Sequence, residues 1–250
     1  REEAMIPLLG RIRSLHPAQT PRWTSSFLRS LSTEMETSQR RGHITREEIL
    51  QCASQPIIHP SYCKGPYRFQ DREYMIIVYE SDTEAVKRMV PEPLEPLGNV
   101  VLAEWIAMPD STGFGDYQEA GIVIPCLFRG ERVNFTANMY LNCEPPIAAG
   151  REIWGFPKKY AKPMLKVDSD TLLGVLHYAG SEVARGTMAF KHKPQSLWET
   201  ALSLSVPSVN LKLIPDVDWS PKVAQLVKYK LCDVHVKESF EGPARLHTVP

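Results

Sequence analysis

The stretch Tyr74-Met75-Ile76-Ile77-Val78-Tyr79 decides the fold. It is six apolar or aromatic residues in a row, three of them β-branched, with neither glycine nor proline inside. A run this short and this rich in stiff side chains reads as a β-strand, and its near-continuous apolarity predicts burial on both faces. Similar segments follow along the chain. Val100–Met108 is a strand, and residues 120–128 and 133–141 are two more, joined by a turn around Gly130. Residues 164–167, 171–178 and 182–190 continue the pattern, with a hairpin turn at Ala179-Gly180. Residues 209–214 and a long segment 223–236 close it. Helices are few and short. Asp82 to Val90 is one, stopped by Pro91 and Pro93. Thr45-Arg46-Glu47-Glu48 is a capping box that opens another. Residues 195–207 read as a surface loop or short helix. The fold class is therefore α+β and predominantly antiparallel β, a barrel or sandwich with a few short helices.

Composition narrows the function. The chain has 250 residues, enough for one large domain or a domain with a tail. Basic and acidic residues number 29 each, so the formal net charge is zero and no basic surplus points to nucleic acid. No apolar run approaches the ~18 residues of a membrane span. The five cysteines, 52, 63, 126, 143 and 232, are odd in number and lack a CxxC. They read as reduced, buried thiols of an intracellular protein, not as a disulfide frame or zinc site. Residues 1–44 lack periodicity and read as a disordered or non-native extension, with residues 45–250 as the folded domain. The Arg- and Ser-rich part at 10–33 gives a weaker transit-peptide reading. The expected location is cytoplasmic, with a mitochondrial address as the second choice.

The densest chemistry lies in Gly150-Arg-Glu-Ile-Trp-Gly-Phe-Pro-Lys-Lys159. Two adjacent lysines are usually a solvated basic spot. Here Trp154, Phe156, Pro157 and Tyr160 surround them, which is too apolar for an ordinary exposed turn. A lysine in an apolar site loses solvation of its ammonium form, and the neutral amine attacks ketones to form a Schiff base. An unperturbed lysine is only about 0.04% neutral at pH 7; lowering its pKa to ~7 makes roughly half of it neutral. That asks for about 4–5 kcal/mol, within reach of burial. A second ammonium one residue away adds to the effect if the two side chains face each other.

Other motifs run in a consistent order around this one. They are Gly65-Pro-Tyr-Arg-Phe-Gln-Asp-Arg-Glu-Tyr74, Val90-Pro-Glu-Pro-Leu94, Met139-Tyr-Leu-Asn-Cys-Glu-Pro145, Val167-Asp-Ser-Asp-Thr171, Lys191-His-Lys193 and Gly242-Pro-Ala-Arg-Leu246. Together with Gly150-Arg-Glu152 and Phe156-Pro-Lys-Lys159, they make the chain resemble the acetoacetate decarboxylase family. That family is itself a well-known case of a lysine activated by desolvation or by a cationic neighbour. The resemblance implies the family's β-rich barrel or sandwich and decarboxylation of a β-keto acid, acetoacetate or a larger analogue. It implies Lys158 as the Schiff-base lysine and Lys159 as the neighbour credited with lowering its pKa. Arg72 matches the arginine that meets the substrate carboxylate, and Glu104 and Glu119 match two pocket glutamates. Met139 and Phe156 match apolar walls. No metal or organic cofactor is implied, the partner is a small β-keto acid, and the chain is expected to form a homo-oligomer. The family continues beyond the Gly242–Leu246 match with a further strand-rich stretch, so the domain is expected to be shortened at its C-terminus.

Each residue also has a plainer reading. Arg72 pairs with a surface acid, Glu104 points to solvent from an alternating strand, and Arg151 and Glu152 form an ion pair that supports the turn. His192 is a surface histidine and Cys143 a packed thiol. Two other functions stand beside decarboxylation: a Schiff-base aldolase, dehydratase or cyclase on the same fold, and an inactive shortened paralogue that only binds or oligomerises. Both glutamates are present, which favours decarboxylation over the first.

Overall fold

The computed structural model describes residues 42–249. They divide into two units between Gln51 and Cys52. In the first, the Thr45 hydroxyl accepts from the Glu48 N–H at 3.2 Å, and the Glu48 carboxylate accepts from the Thr45 N–H at 2.7 Å. This is the capping box expected from the sequence, and it starts helix α1 (Arg46–Gln51), which buries no residue. Residues 1–41 of the extension lie outside the described residues.

The second unit is built on strands. Those of three or more residues are, in chain order, β1 (Glu73–Glu80), β2 (Val100–Met108), β3 (Tyr117–Phe128), β4 (Glu131–Leu141), β5 (Lys158–Tyr160), β6 (Lys162–Asp168), β7 (Thr171–Tyr178), β8 (Ser181–Ala189), β9 (Ser208–Pro215), β10 (Pro221–Tyr229) and β11 (Ala244–Thr248). Three short helices accompany them: α2 (Thr83–Met89), α3 (Glu144–Ala149) and α4 (Leu197–Leu204). The larger sheet runs β10-β9-β4-β3-β2-β1, and the smaller β11-β8-β7-β6. Neighbours are antiparallel except where β4 meets β5 and β9, which it pairs in parallel. The two sheets do not close on each other, so the sandwich form of the expectation holds and the barrel form does not.

One of three buried clusters among the described residues forms the core between the sheets. Met75, Ile77, Ala103 and Trp105 of the larger sheet pack on Leu165, Leu172 and Leu176 of the smaller. Gly174 and Gly186 make this close approach possible. A methyl group at Gly174 would come within 2.5 Å of Met75 Cε and 2.6 Å of the Trp105 ring. Burial of Met75 and Ile77 uses one face of β1. Its other face, Tyr74 and Ile76, lines a cleft, and Val78 is 63% exposed. The strand is thus half-buried with a functional second face, not buried on both sides as its apolar run suggests. The segment 223–236 also differs: β10 ends at Tyr229, and residues 230–239 take no regular structure while lining the same cleft. Among the cysteines, Cys126 is buried, Cys52 and Cys143 are half-buried, and Cys63 and Cys232 are exposed. Among the described residues, no helix is long and apolar enough to cross a membrane.

Candidate active site

The face of the larger sheet turned away from the core carries the site. Strand register sets one row across five strands: Ile76, Glu104, Gly121, Met139 and Lys158 are successive cross-strand partners. Glu119 occupies the next row, opposite Ile106 and Leu141. Residues two apart on a strand share a face, so Glu119 and Gly121 both look toward the cleft. On β4 the alternation is reset by a bulge at Ala137, where the register jumps from Asn138 to Thr136. The bulge lets both Thr136 and Met139 reach the cleft. Met139 lies over Gly121, with its Sδ 2.7 Å from where a Cβ would stand.

Lys158 arrives on this row through an unusual connection. Helix α3 continues as one π-helical turn, Gly150–Trp154, and stops at Gly155 in the left-handed region, φ 72°. A Cβ at Gly155 would stand 2.6 Å from the backbone nitrogen of Lys212, so both conformation and space require glycine there. The Gly155 and Phe156 N–H groups both donate to the Gly150 carbonyl. Arg151 Nη1 donates to the Lys158 carbonyl at 3.2 Å, and the Tyr62 hydroxyl donates to Glu152 Oε2 at 2.6 Å. Arg151 and Glu152 thus brace the turn separately, not as the ion pair expected between them.

The lysine is 7% exposed. Its Nζ donates to Glu119 Oε1 at 2.7 Å and lies 4.8 Å from the centre of the Phe156 ring. Phe156 in turn packs on Tyr229, ring centres 5.1 Å apart. Burial, aided by the charges of Glu119 and Glu104, pushes the Tyr229 hydroxyl up and keeps it protonated, although the neighbouring Ser208 and Asn210 pull the other way. Glu104 faces the same cleft. Desolvation, with the nearby Glu119 charge, raises its pKa to about 7 despite the opposing pull of Arg72. Near neutrality this carboxyl both gives and takes a proton.

Arg72 completes the constellation. Its guanidinium lies between the rings of Phe69 and Tyr74, 4.9 and 5.0 Å from their centres. Its buried Nε has no hydrogen-bond partner, and no acid among the described residues forms an ion pair with it. The surface-acid reading therefore does not apply. A cation held by aromatic faces, with unspent donors at a cleft, is suited to receive a carboxylate.

Residues 54–250 match the acetoacetate decarboxylase (ADC) family. This chain belongs to that family. Acetoacetate decarboxylase 1 of Mesorhizobium japonicum is 50% identical over 192 residues, 77% of this chain and 78% of the relative. The solved structure of acetoacetate decarboxylase from Legionella pneumophila is 47% identical, with TM-score 0.75 over 77% of each chain. A second solved acetoacetate decarboxylase is 42% identical, with TM-score 0.81 over 82% of this chain and 84% of that one.

Of the residues singled out by likeness to the acetoacetate decarboxylases, Lys158, Glu119, Glu104, Arg72, Met139 and Phe156 all line one cleft. Lys159 stands apart. Alternation along β5 turns it to the opposite side, where it is exposed and its Nζ lies 6.0 Å from the centre of the Tyr178 ring. Cys143 is a packed thiol, 3.9 Å from the Phe114 carbonyl and pushed up by burial. Sequence reasoning missed Tyr229 and Tyr74. Tyr74 was visible as the residue two before Ile76 on the same strand face. Tyr229 lies far along the chain, and nothing local in its segment ties it to the lysine turn.

Proposed function

We propose that this chain decarboxylates a β-keto acid, acetoacetate or a larger analogue, through a Schiff base on Lys158. The observation that carries the reading is the Lys158–Glu119 contact, 2.7 Å inside a cleft that also holds Glu104 and the unpaired guanidinium of Arg72.

The chemistry follows from these groups. Arg72 receives the carboxylate of the substrate and points the ketone toward Lys158. Glu119 takes a proton from the lysine as its nitrogen attacks the carbonyl carbon. Loss of water gives the iminium. The bond to the carboxylate then breaks, its electron pair moves into the iminium to form an enamine, and CO2 departs. Protonation of the enamine carbon restores an iminium, and Glu104 is a suitable donor because about half of it carries a proton near pH 7. Water then releases the ketone and the free amine. The amine serves as nucleophile and electron sink, so the sequence of steps draws on no metal or organic cofactor. Arg72 must hold the carboxylate without gripping it too tightly, since ground-state stabilisation would slow its departure. The cleft extends beyond the lysine to residues 230–242, which leaves room for acids bulkier than acetoacetate.

Self-association and a cytoplasmic home belong to the same reading. The β9–β10 turn exposes Val217 by 97% and Trp219 by 86%, apolar surface that a second copy would cover. The free thiols of Cys63, Cys126, Cys143 and Cys232 suit a reducing compartment. The test of function is product analysis with acetoacetate and longer β-keto acids. Stoichiometric CO2 and ketone support decarboxylation. Condensation or dehydration products without CO2 would support the aldolase-type chemistry in its place.

A further inference from the structure

Gly150 stands where the side chain of Lys158 must pass. A methyl group at Gly150 would meet Lys158 Cδ at 2.5 Å, Cε at 2.8 Å and Nζ at 3.2 Å. The backbone there is ordinary right-handed helix, φ −59° and ψ −46°, so conformation does not call for glycine. Space does. The Gly150 carbonyl also receives the N–H groups of Gly155 and Phe156, which ties the start of the lysine loop to its end. The distal half of Lys158 is therefore confined between the bare Cα of Gly150, the Phe156 ring and Glu119.

We propose that Gly150 is a positioning residue for the reaction, the floor of a slot that directs the Lys158 amine toward Glu119 and the cleft. The inference rests on the Schiff-base reading for its consequence in catalysis and on geometry for the slot itself. If the floor is raised by one methyl group, the flexible partner moves, and that partner is the lysine. The amine is then displaced from Glu119, while Arg72 and the carboxylate end of the cleft are untouched.

The experiment is a double-mutant cycle of Gly150→Ala and Lys158→Ala, read by steady-state kinetics and thermal melting. In Gly150→Ala, kcat should fall roughly 10²-fold, as misplacement by about an ångström does, with KM changed by less than about threefold. Its melting temperature should fall below that of the wild type. In the Lys158→Ala background the same substitution should leave melting unchanged or raise it, because alanine favours helical backbone once the lysine is gone. A Gly150→Ala enzyme with wild-type kcat would overturn the proposal. So would equal destabilisation in both backgrounds. Should Gly150→Ala fail to fold, the double variant decides: melting like Lys158→Ala supports the slot, and failure of both overturns it. A wild-type protein that releases no CO2 from any β-keto acid would defeat the functional reading alone, since the melting cycle still tests the slot.

Discussion

Lys158 and Glu119 form a buried ion pair, Nζ to Oε1 2.7 Å, with side chains 8% and 6% exposed. Removing two charges from water costs about as much as their attraction returns, so such a pair adds little net stability. Its placement at a cleft marks it as chemical equipment. Glu119→Gln keeps the shape and removes the charge, and should lower kcat/KM by roughly 10²- to 10⁴-fold, the span of a general base. Glu119→Ala should also destabilise by roughly 1–3 kcal/mol, because it removes the hydrogen-bond partner of the buried Lys158 amine. Steady-state kinetics and urea denaturation measure both.

Glu104 makes stability depend on pH. Its carboxyl has a folded pKa of about 7 against a reference of 4.5, so the folded chain holds the proton more tightly than the unfolded one. Stability is then greatest below pH ~4.5 for this group and falls as pH rises toward 7, by at most about 3 kcal/mol. Water in the cleft screens part of that, since the residue is not wholly enclosed. Glu104→Gln should flatten the pH dependence of unfolding free energy across this window. It should also remove any fall of kcat centred near pH 7.

Arg72 tests substrate recognition. Arg72→Lys loses the planar guanidinium that lies between Phe69 and Tyr74 and its paired donors. KM should rise about 10- to 100-fold, the loss of a charge-assisted contact, with a smaller change in kcat. Arg72→Met should in addition raise the Glu104 pKa further, because Arg72 is the cation that holds it down. Titration by NMR of labelled glutamate would read this shift.

Gly174→Ala tests the sandwich apart from the site. Its methyl group would press on Met75 and Trp105 in the core between the sheets. Overpacking of this kind costs roughly 1–3 kcal/mol. Denaturant unfolding should show the loss, while kcat of the folded enzyme at low temperature should stay near wild type.

Elements of the fold with strong local signals were legible in the sequence. Val100–Met108 and Thr171–Tyr178 have the expected bounds, and Asp82 caps α2 through its side chain to the Ala85 N–H. β1 was read as doubly buried because a cleft wall and a core face are equally apolar, and periodicity cannot separate them. The parallel pairing of β5 with β4 was not legible, since three residues carry no period. In the site, the lysine motif was conspicuous for its apolar setting. The different fates of Lys158 and Lys159 follow from strand alternation, which becomes readable once Lys158–Tyr160 is known to be a strand. The role of Gly150 was hidden, because a glycine in helical conformation gives no turn signal and its neighbour in space is eight residues away.

Borohydride reduction of the enzyme during turnover of acetoacetate, followed by peptide mass mapping, tests the central claim most directly. The account predicts a reduced adduct with the carbon skeleton of acetone on Lys158, none on Lys159, and loss of activity in step with labelling. An enzyme that releases CO2 yet shows no adduct, or carries it on another lysine, would contradict the account.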